Sequence, residues 1–486
     1  MNGSIYTWSA INSYFASYLH YNGNEKIKPT DTFFLMPCIF LVQYFFMAPG
    51  VKLGDEITVR GSTIIAVILM VGSYFLLIFS TNFPVIILGF CIFGMGDGLG
   101  NLSVIKNCWL YFPNNKALIN GIILGAYGLN SAILNPLADF IIINPNKEEA
   151  DDDGYYPENV ANNLKDFLYF VMIMFGVLGI IAIILSIPYE NDISDKINDV
   201  IIADNNNKEN LLYKDSIANN DESIGTKKSN KTKSDTSNKY TNINTDLNEN
   251  SNSTISLNSK QNKFWIGFLS VPNFELGVIC FCVPFFLYLL TNTNRAFGNS
   301  CDISQLALQL MAVLFGVING ATRFVWGLLM DKYNFKILMY IIMTLEIIIS
   351  FTVYYTKIND ILFVVVNLLS AVSLSGFFTT ITPTFNKVFG FKNGAKIYGL
   401  TGILIGVASF LGPVLTKIFI KDEKKELYRN IYFVGGGFII FSFISLFFFE
   451  EKSFDYNSHL HQDSHNDSSI DEEKNVKNIK NENLYE

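Results

Sequence analysis

Apolar and polar positions along the 486-residue chain fall in long blocks, not in the short alternations of strands or of amphipathic surface helices. A helix that crosses the hydrocarbon core of a bilayer needs about 20 apolar residues. Such runs can be read at 32–51, 62–80, 84–105, 117–143, 166–188, 264–291, 304–328, 336–355, 360–385, 396–420 and 429–449. A further segment at 4–20 is shorter and rich in Ser, Asn and Tyr, which predicts a truncated first helix whose true start lies upstream of Met1. The pattern therefore predicts an all-α membrane protein with twelve transmembrane helices.

Between the sixth and seventh runs lies a stretch, 189–263, dominated by Asn, Lys, Ser and Asp with almost no aromatic residues. Such a composition buries too little apolar area to offset the entropy of ordering, so a disordered linker is predicted there. It divides the chain into an N-terminal transmembrane half (1–188, helices 1–6) and a C-terminal half (264–449, helices 7–12). A second disordered segment, 450–486, is predicted to follow.

Composition agrees with the membrane class, since half of the residues are apolar and 16% are charged. The net charge of −8 resides in the polar segments: acids outnumber bases by 12 to 10 in 188–263 and by 10 to 4 in 450–486. The apolar body is thus neutral and has no basic face for nucleic acid. Six scattered cysteines (Cys38, Cys91, Cys108, Cys280, Cys282, Cys301) show no metal-ligand spacing and read as small hydrophobes. Three of the four histidines, His459, His461 and His465, fall in the polar tail and read as solvated, not as a metal site. With no Ser, His and Asp set inside the spans, nothing calls for an enzyme, a cofactor or a metal.

The two halves read as repeats. GVKLGDEITVRG (50–61) follows the second span and GLLMDKYNFK (327–336) the eighth; each has a Gly, an Asp four or five residues on, and a basic residue before the next span. FPNNKALING (112–121) corresponds to FKNGAKIYG (391–399), and each is followed at 14 or 15 residues by a proline, Pro136 or Pro413. Asp55 with Arg60 and Asp331 with Lys336 are read as gating braces, in which an Asp at a helix terminus pairs across the interface of two helices. Lysines and arginines of these loops, and the ten lysines of the linker, predict that loops, linker and tail face the cytoplasm. Plasma and organelle membranes are not distinguished.

GMGDGLGNLSVIKNCWLYFPNNKALINGIILGAYGLNSAILNPLAD (94–139) resembles the fourth and fifth spans of the oxalate:formate antiporter and monocarboxylate transporter families of the major facilitator superfamily. Tyr111, Phe112, Lys116, Gly121, Gly125, Gly128 and Pro136 occupy the motif positions. NGATRFVWGLLMDKY (319–333) resembles the eighth span of the same families, in which an arginine binds the substrate anion. The resemblance implies the major facilitator fold, as two six-helix halves, and a monomeric secondary transporter that moves a small organic anion, with protons as a possible co-substrate.

Arg323 is the sharpest candidate residue. It stands eight residues before Asp331, so at 1.5 Å per residue it lies about 12 Å inside the membrane, where its planar fork suits bidentate binding of a carboxylate. Asp97 and Glu275 fall near mid-depth by the same count, as candidates to pair with Arg323 or to carry a proton. Two alternatives stay open for them: Asp97, set among Gly94, Gly96, Gly98 and Gly100, as a helix–helix hydrogen-bonding group, and Glu275, after Pro272, as an interfacial residue. Some of Tyr6, Trp8, Tyr14, Gln43, Tyr44, Asn130, Asn367 and Thr379 are expected to line the path. The sequence also departs from the resembled families. Asn319 replaces the acid found four residues before the arginine in proton-coupled members, and Ile405 stands where oxalate-binding members carry a second positive charge. A monoanion such as lactate, pyruvate or formate is therefore expected over a dianion. The alternatives are a carrier of a neutral or zwitterionic metabolite or drug, and a non-transporting membrane receptor or scaffold.

Overall fold

The computed structural model describes residues 8–23, 27, 29–151, 154–189, 263–419 and 425–456. The predicted linker, nearly all of the tail with its histidines, and Tyr6 lie outside the described residues. The described chain is helical. In order it forms α1 (Trp8–Asn22), α2 (Leu35–Ile57), α3 (Val59–Phe79), α4 (Phe83–Tyr111), α5 (Lys116–Pro136), α6 (Leu164–Leu185), α7 (Val271–Ser300), α8 (Gln305–Met330) and α9 (Phe335–Thr352). A continuous helical stretch, Asp360–Thr401, bends at Gly390, whose φ of 76° is a left-handed conformation that favours glycine. This bend separates α10 (360–389) from α11 (391–419), and α12 (Lys425–Phe448) closes the series.

Among the described residues, ten stretches are long and apolar enough to cross a membrane, one of them comprising α10 and α11 together. The helix α1 has 15 residues, about 22 Å, and is short of a bilayer core. Helix ends differ from the apolar runs where a helix outlasts its hydrophobic stretch. Thus α4 continues to Tyr111 through Lys106 and Asn107, and α7 starts only at Val271, with Pro272 in its first turn. Towards the C-terminus the described residues pass the expected boundary at 450. The Phe454 N–H donates to Val388 O (2.8 Å), the Tyr456 hydroxyl to Phe389 O (3.0 Å), and Glu451 pairs with Lys387 (2.6 Å).

The halves repeat one packing scheme. In the first, α4 packs on α2 and α3, and α3 on α6; in the second, α10 packs on α8 and α9, and α9 on α12. Two helix pairs related by this repeat, α5 with α8 and α2 with α11, join the halves. Both are seams of small residues. A Cβ added at Gly121 would meet Arg323 O, one at Gly128 would meet the Gly320 backbone, and one at Gly327 would lie 2.8 Å from Ala117 O. At the other seam a Cβ on Gly399 would lie 2.6 Å from Ala48 N, and one on Gly406 2.9 Å from Leu41 Cα. Without a hydrophobic driving force between lipid-embedded helices, such close backbone approach supplies the dispersion contact that holds them.

Gly128→Val is accordingly expected to lower the thermal stability of the detergent-purified protein, by ~1–3 kcal/mol or more for a group forced into a packed interface. Gly72→Ala, where nothing lies within 4 Å of the new Cβ, should melt within about 0.5 kcal/mol of the parent.

Candidate functional site

The α5–α8 seam sets the position of Arg323. Its side chain is 1% exposed, and the guanidinium donates from Nε to Asn319 Oδ1 (3.1 Å) and from Nη1 to the Leu124 carbonyl of α5 (3.0 Å). The rings of Tyr127 and Phe378 flank it, with centroids at 6.0 and 5.8 Å, a distance at which an aromatic face attracts a cation. Asn319, standing where an acid was the familial expectation, thus serves as a neutral acceptor that orients the arginine. On the same α5 face the Asn120 amide donates to Thr379 O of α10 (3.0 Å).

Arg323 opens on a cavity enclosing about 520 Å³ of empty space, open solvent included, where the halves meet. Phe40, Gln43, Tyr44 and Met47 of α2, Asp97, Asn101, Leu102 and Ile105 of α4, and Leu124 and Tyr127 of α5 form one wall. Tyr288 of α7, Arg323 of α8, Phe378 and Thr382 of α10, and Tyr398 of α11 form the other. Asp97 is 1% exposed and belongs to this cavity with Arg323. Of its glycine neighbours Gly94 and Gly98 face α2, where a Cβ on Gly94 would lie 2.5 Å from Ile39 O and one on Gly98 would strike Gln43 O, while Gly96 and Gly100 face Met70 and Ala66 of α3. Glu275 is elsewhere. The late start of α7 puts it in the helix's second turn, half-buried, with Lys336 and Glu450 as charged neighbours. The expectation of a mid-depth partner for Arg323 is corrected, because Pro272 opens the helix and leaves only one turn before Glu275. Of the expected path residues Gln43 and Tyr44 line the cavity. Thr379 and Asn367 are buried within α10, where they donate to Ser375 O and Phe363 O.

The repeated loops gather at one end of the bundle, here called the motif end. Asp55 receives Lys106 Nζ (2.5 Å) from its own half and Lys396 Nζ (3.0 Å) from α11 of the other half. Asp331 accepts from the backbone N–H groups of Ala117 (3.3 Å) and Leu118 (3.1 Å) at the start of α5, where helix-end N–H groups and the helix dipole favour an anion. Burial pushes the Asp331 carboxyl up from the usual range, and these two N–H groups pull it back down. Both aspartates therefore bridge the halves, but neither pairs with the basic residue of its own loop. Arg60 donates to Ser186 O (3.2 Å) and Ile184 O (3.5 Å) at the end of α6, and Lys336 to Phe447 O (2.8 Å) and Phe449 O (2.9 Å) at the end of α12. Each base caps the carbonyl terminus of the last helix of its half, a favourable place for a cation. Among the motif residues, Lys116 opens α5 with its ammonium over the Phe391 ring (5.5 Å), and Tyr111 donates to Ile187 O (3.4 Å). Phe112 terminates α4. Pro136 ends α5 ahead of a π-helical turn, Leu137–Ile142.

Two features are absent from the sequence analysis. At the end opposite the motifs, Asp139 of the π-helical turn has Arg295 of α7 and the Tyr14 hydroxyl of α1 within electrostatic reach, and the Tyr14 ring lies tilted against Tyr156 with centroids 4.4 Å apart. Asp139 and Arg295 are 156 positions apart, and no local pattern links them. Glu346 lies within α9, fully buried, and neither of its carboxyl oxygens has a hydrogen-bond partner among the described residues. A single acid inside MYIIMTLEIIIS was visible as an anomaly in the sequence.

The sequence profile of the Major Facilitator Superfamily matches residues 274–476. A protein of Escherichia coli (strain K12), described as the uncharacterized MFS-type transporter YhjX, is 29% identical over 130 residues, 26% of this chain and 31% of its own length. The match thus spans about a third of that relative. Among solved structures, the human organic anion transporter MFSD10 (TETRAN) superposes with a TM-score of 0.58 at 13% identity, over 92% of this chain and 96% of that one. The proton:xylose symporter XylE bound to 6-bromo-6-deoxy-D-glucose gives 0.59 at 13% identity over 94% and 96%. A D-xylose–proton symporter gives 0.57 at 12% over 93% and 97%.

Since an unpartnered buried carboxyl opposes folding, Glu346→Met is expected to melt at or above the temperature of the parent protein in a detergent thermal-stability assay. A drop of several degrees would instead assign Glu346 a structural partner. The helix order, the repeated packing of two six-helix halves and these comparisons together establish that the chain is an integral multi-pass membrane protein with the major facilitator fold.

Proposed function

We propose that this protein is a secondary transporter that carries a small organic monocarboxylate across a membrane by alternating access, with Arg323 holding the carboxylate. The observation that carries the reading is a fully buried guanidinium facing a cavity where the halves meet. A charge at that depth is retained against a large desolvation penalty, and an arginine fork matches a carboxylate in two parallel hydrogen bonds. The fold is shared with a human organic anion transporter and with proton:sugar symporters, which supports carriage of a small solute and leaves proton symport and anion exchange as the modes of coupling.

In this reading the two ends act as gates. The motif end is held by Asp55 with Lys396 and by Asp331 on the start of α5, and at the opposite end Asp139 lies within electrostatic reach of Arg295. Each of these contacts crosses from one half to the other, so rocking of the halves about α5–α8 and α2–α11 breaks one set while the other closes. The motif end is assigned to the cytoplasm from the basic residues of its loops.

The test is uptake of radiolabelled lactate, pyruvate and formate into proteoliposomes containing the full chain, with and without an imposed pH gradient. Arg323→Ala is expected to reduce uptake at least 100-fold, and Arg323→Lys about 10-fold, because an ammonium offers a point charge in place of the planar fork. Uptake that survives Arg323→Ala at the wild-type rate contradicts the reading.

A further inference from the structure

The cavity has two chemically different walls. Arg323, on the C-terminal half, is its one basic lining residue, and Asp97, on the N-terminal half, its one acid. Asp97 and Asn101 are one turn apart on α4 and share a helix face. Gly98, between them, lies against the Gln43 backbone of α2 and so brings Gln43 alongside. Gln43 and Asn101 are 5% and 7% exposed, and the side-chain oxygens Gln43 Oε1 and Asn101 Oδ1 have no hydrogen-bond partner among the described residues. Buried acceptors without a donor are uncommon in folded proteins, since each leaves a desolvation penalty unmet. A donor supplied by a bound solute meets it.

We infer that the monocarboxylate carried at this site also bears an ammonium group, so that the substrate class is the α-amino acids: the carboxylate binds Arg323, and the ammonium binds Asp97 with Gln43 and Asn101. The inference rests on the carboxylate reading of Arg323 and extends it. Its physical basis is charge balance. The lining carries one basic and one acidic side chain, and with both ionised a zwitterion leaves a low-dielectric cavity neutral, whereas a plain monoanion adds a net charge there. An ammonium has three donors, matching the three acceptor side chains of the α2–α4 wall. The nearby rings of Tyr44 and Tyr288 add faces that attract a cation. A hydroxyl in the same place offers one donor and no charge.

The test compares matched pairs that differ only at this group: L-alanine with L-lactate, and L-phenylalanine with L-phenyllactate. Each is measured by proteoliposome uptake and by thermal stabilisation of the purified full-length protein, with phenethylamine as the carboxylate-free control. The expected result is at least 10-fold higher uptake of the amino member of one pair, stabilisation by that compound, and at least a 10-fold fall in the amino-to-hydroxy uptake ratio in Asp97→Asn. Equal or greater, Arg323-dependent uptake of the hydroxy acids overturns the inference while leaving the carboxylate reading in place. Arg323-independent uptake of phenethylamine overturns both. Absence of uptake and of stabilisation by either amino acid also overturns the inference, and the wild-type comparison decides even where Asp97→Asn does not fold.

Discussion

A guanidinium buried at the centre of an apolar bundle is the constraint on which the rest of this structure depends. Desolvating a charge is tolerated only when fixed dipoles replace the lost water, and for Arg323 these are Asn319 Oδ1 and the Leu124 carbonyl. The second belongs to the other half of the molecule. It comes within 3.0 Å only because α5 and α8 present glycines to each other, so their backbones pass at a separation that no Cβ would permit. The seam that joins the halves and the environment that makes the arginine tolerable are one arrangement. A substitution in either disturbs both.

The same economy is visible at the motif end. Each aspartate of the repeated loops reaches across to the start of α5 or α11 in the other half, and each basic residue turns back to close the last helix of its own half. Inter-half contacts made of single charges at helix termini are suited to a contact that must open. Partial exposure keeps such pairs weak, and helix-end N–H groups return readily to water when the partner leaves. The bases serve a different purpose. In the proposed alternating access, Arg60 and Lys336, by holding α6 and α12 to the loops, keep each six-helix half together while the aspartates let go.

Much of this was legible in the chain, for reasons that differ from residue to residue. Hydrophobic blocks marked the spans because lipid leaves no other way to satisfy a backbone. Arg323 stood out because a charge eight residues inside a span has few explanations. The loop repeat located Asp55 and Asp331 and the expectation that each reaches across a helix interface, but it named no partner, since a sequence motif places neighbours in the chain and the observed partners, Lys396 and the α5 N-terminus, come from the other half. Glu275 was read as either mid-depth or interfacial, and the start of α7 at Val271 favours the second, because the apolar residues before it do not belong to that helix. Asp139 and Arg295, brought together by two distant helices, had no signature at all. The chemistry of the cavity wall formed by Gln43, Asp97 and Asn101 emerged only when α2 and α4 were seen side by side.

The central claim is that the halves move as rigid bodies about the cavity that Arg323 occupies, so the most direct measurement is of distances at the two ends in one experiment. Spin labels on the exposed positions Glu56 and Lys392 report the motif end, and labels on Glu149 and Gln305 report the opposite end. The account expects the two distance distributions to shift in opposite senses when a transported carboxylate is added to the protein in lipid nanodiscs, and the shift to vanish in Arg323→Ala. Distances that widen together, or that respond to substrate equally without the arginine, would contradict it.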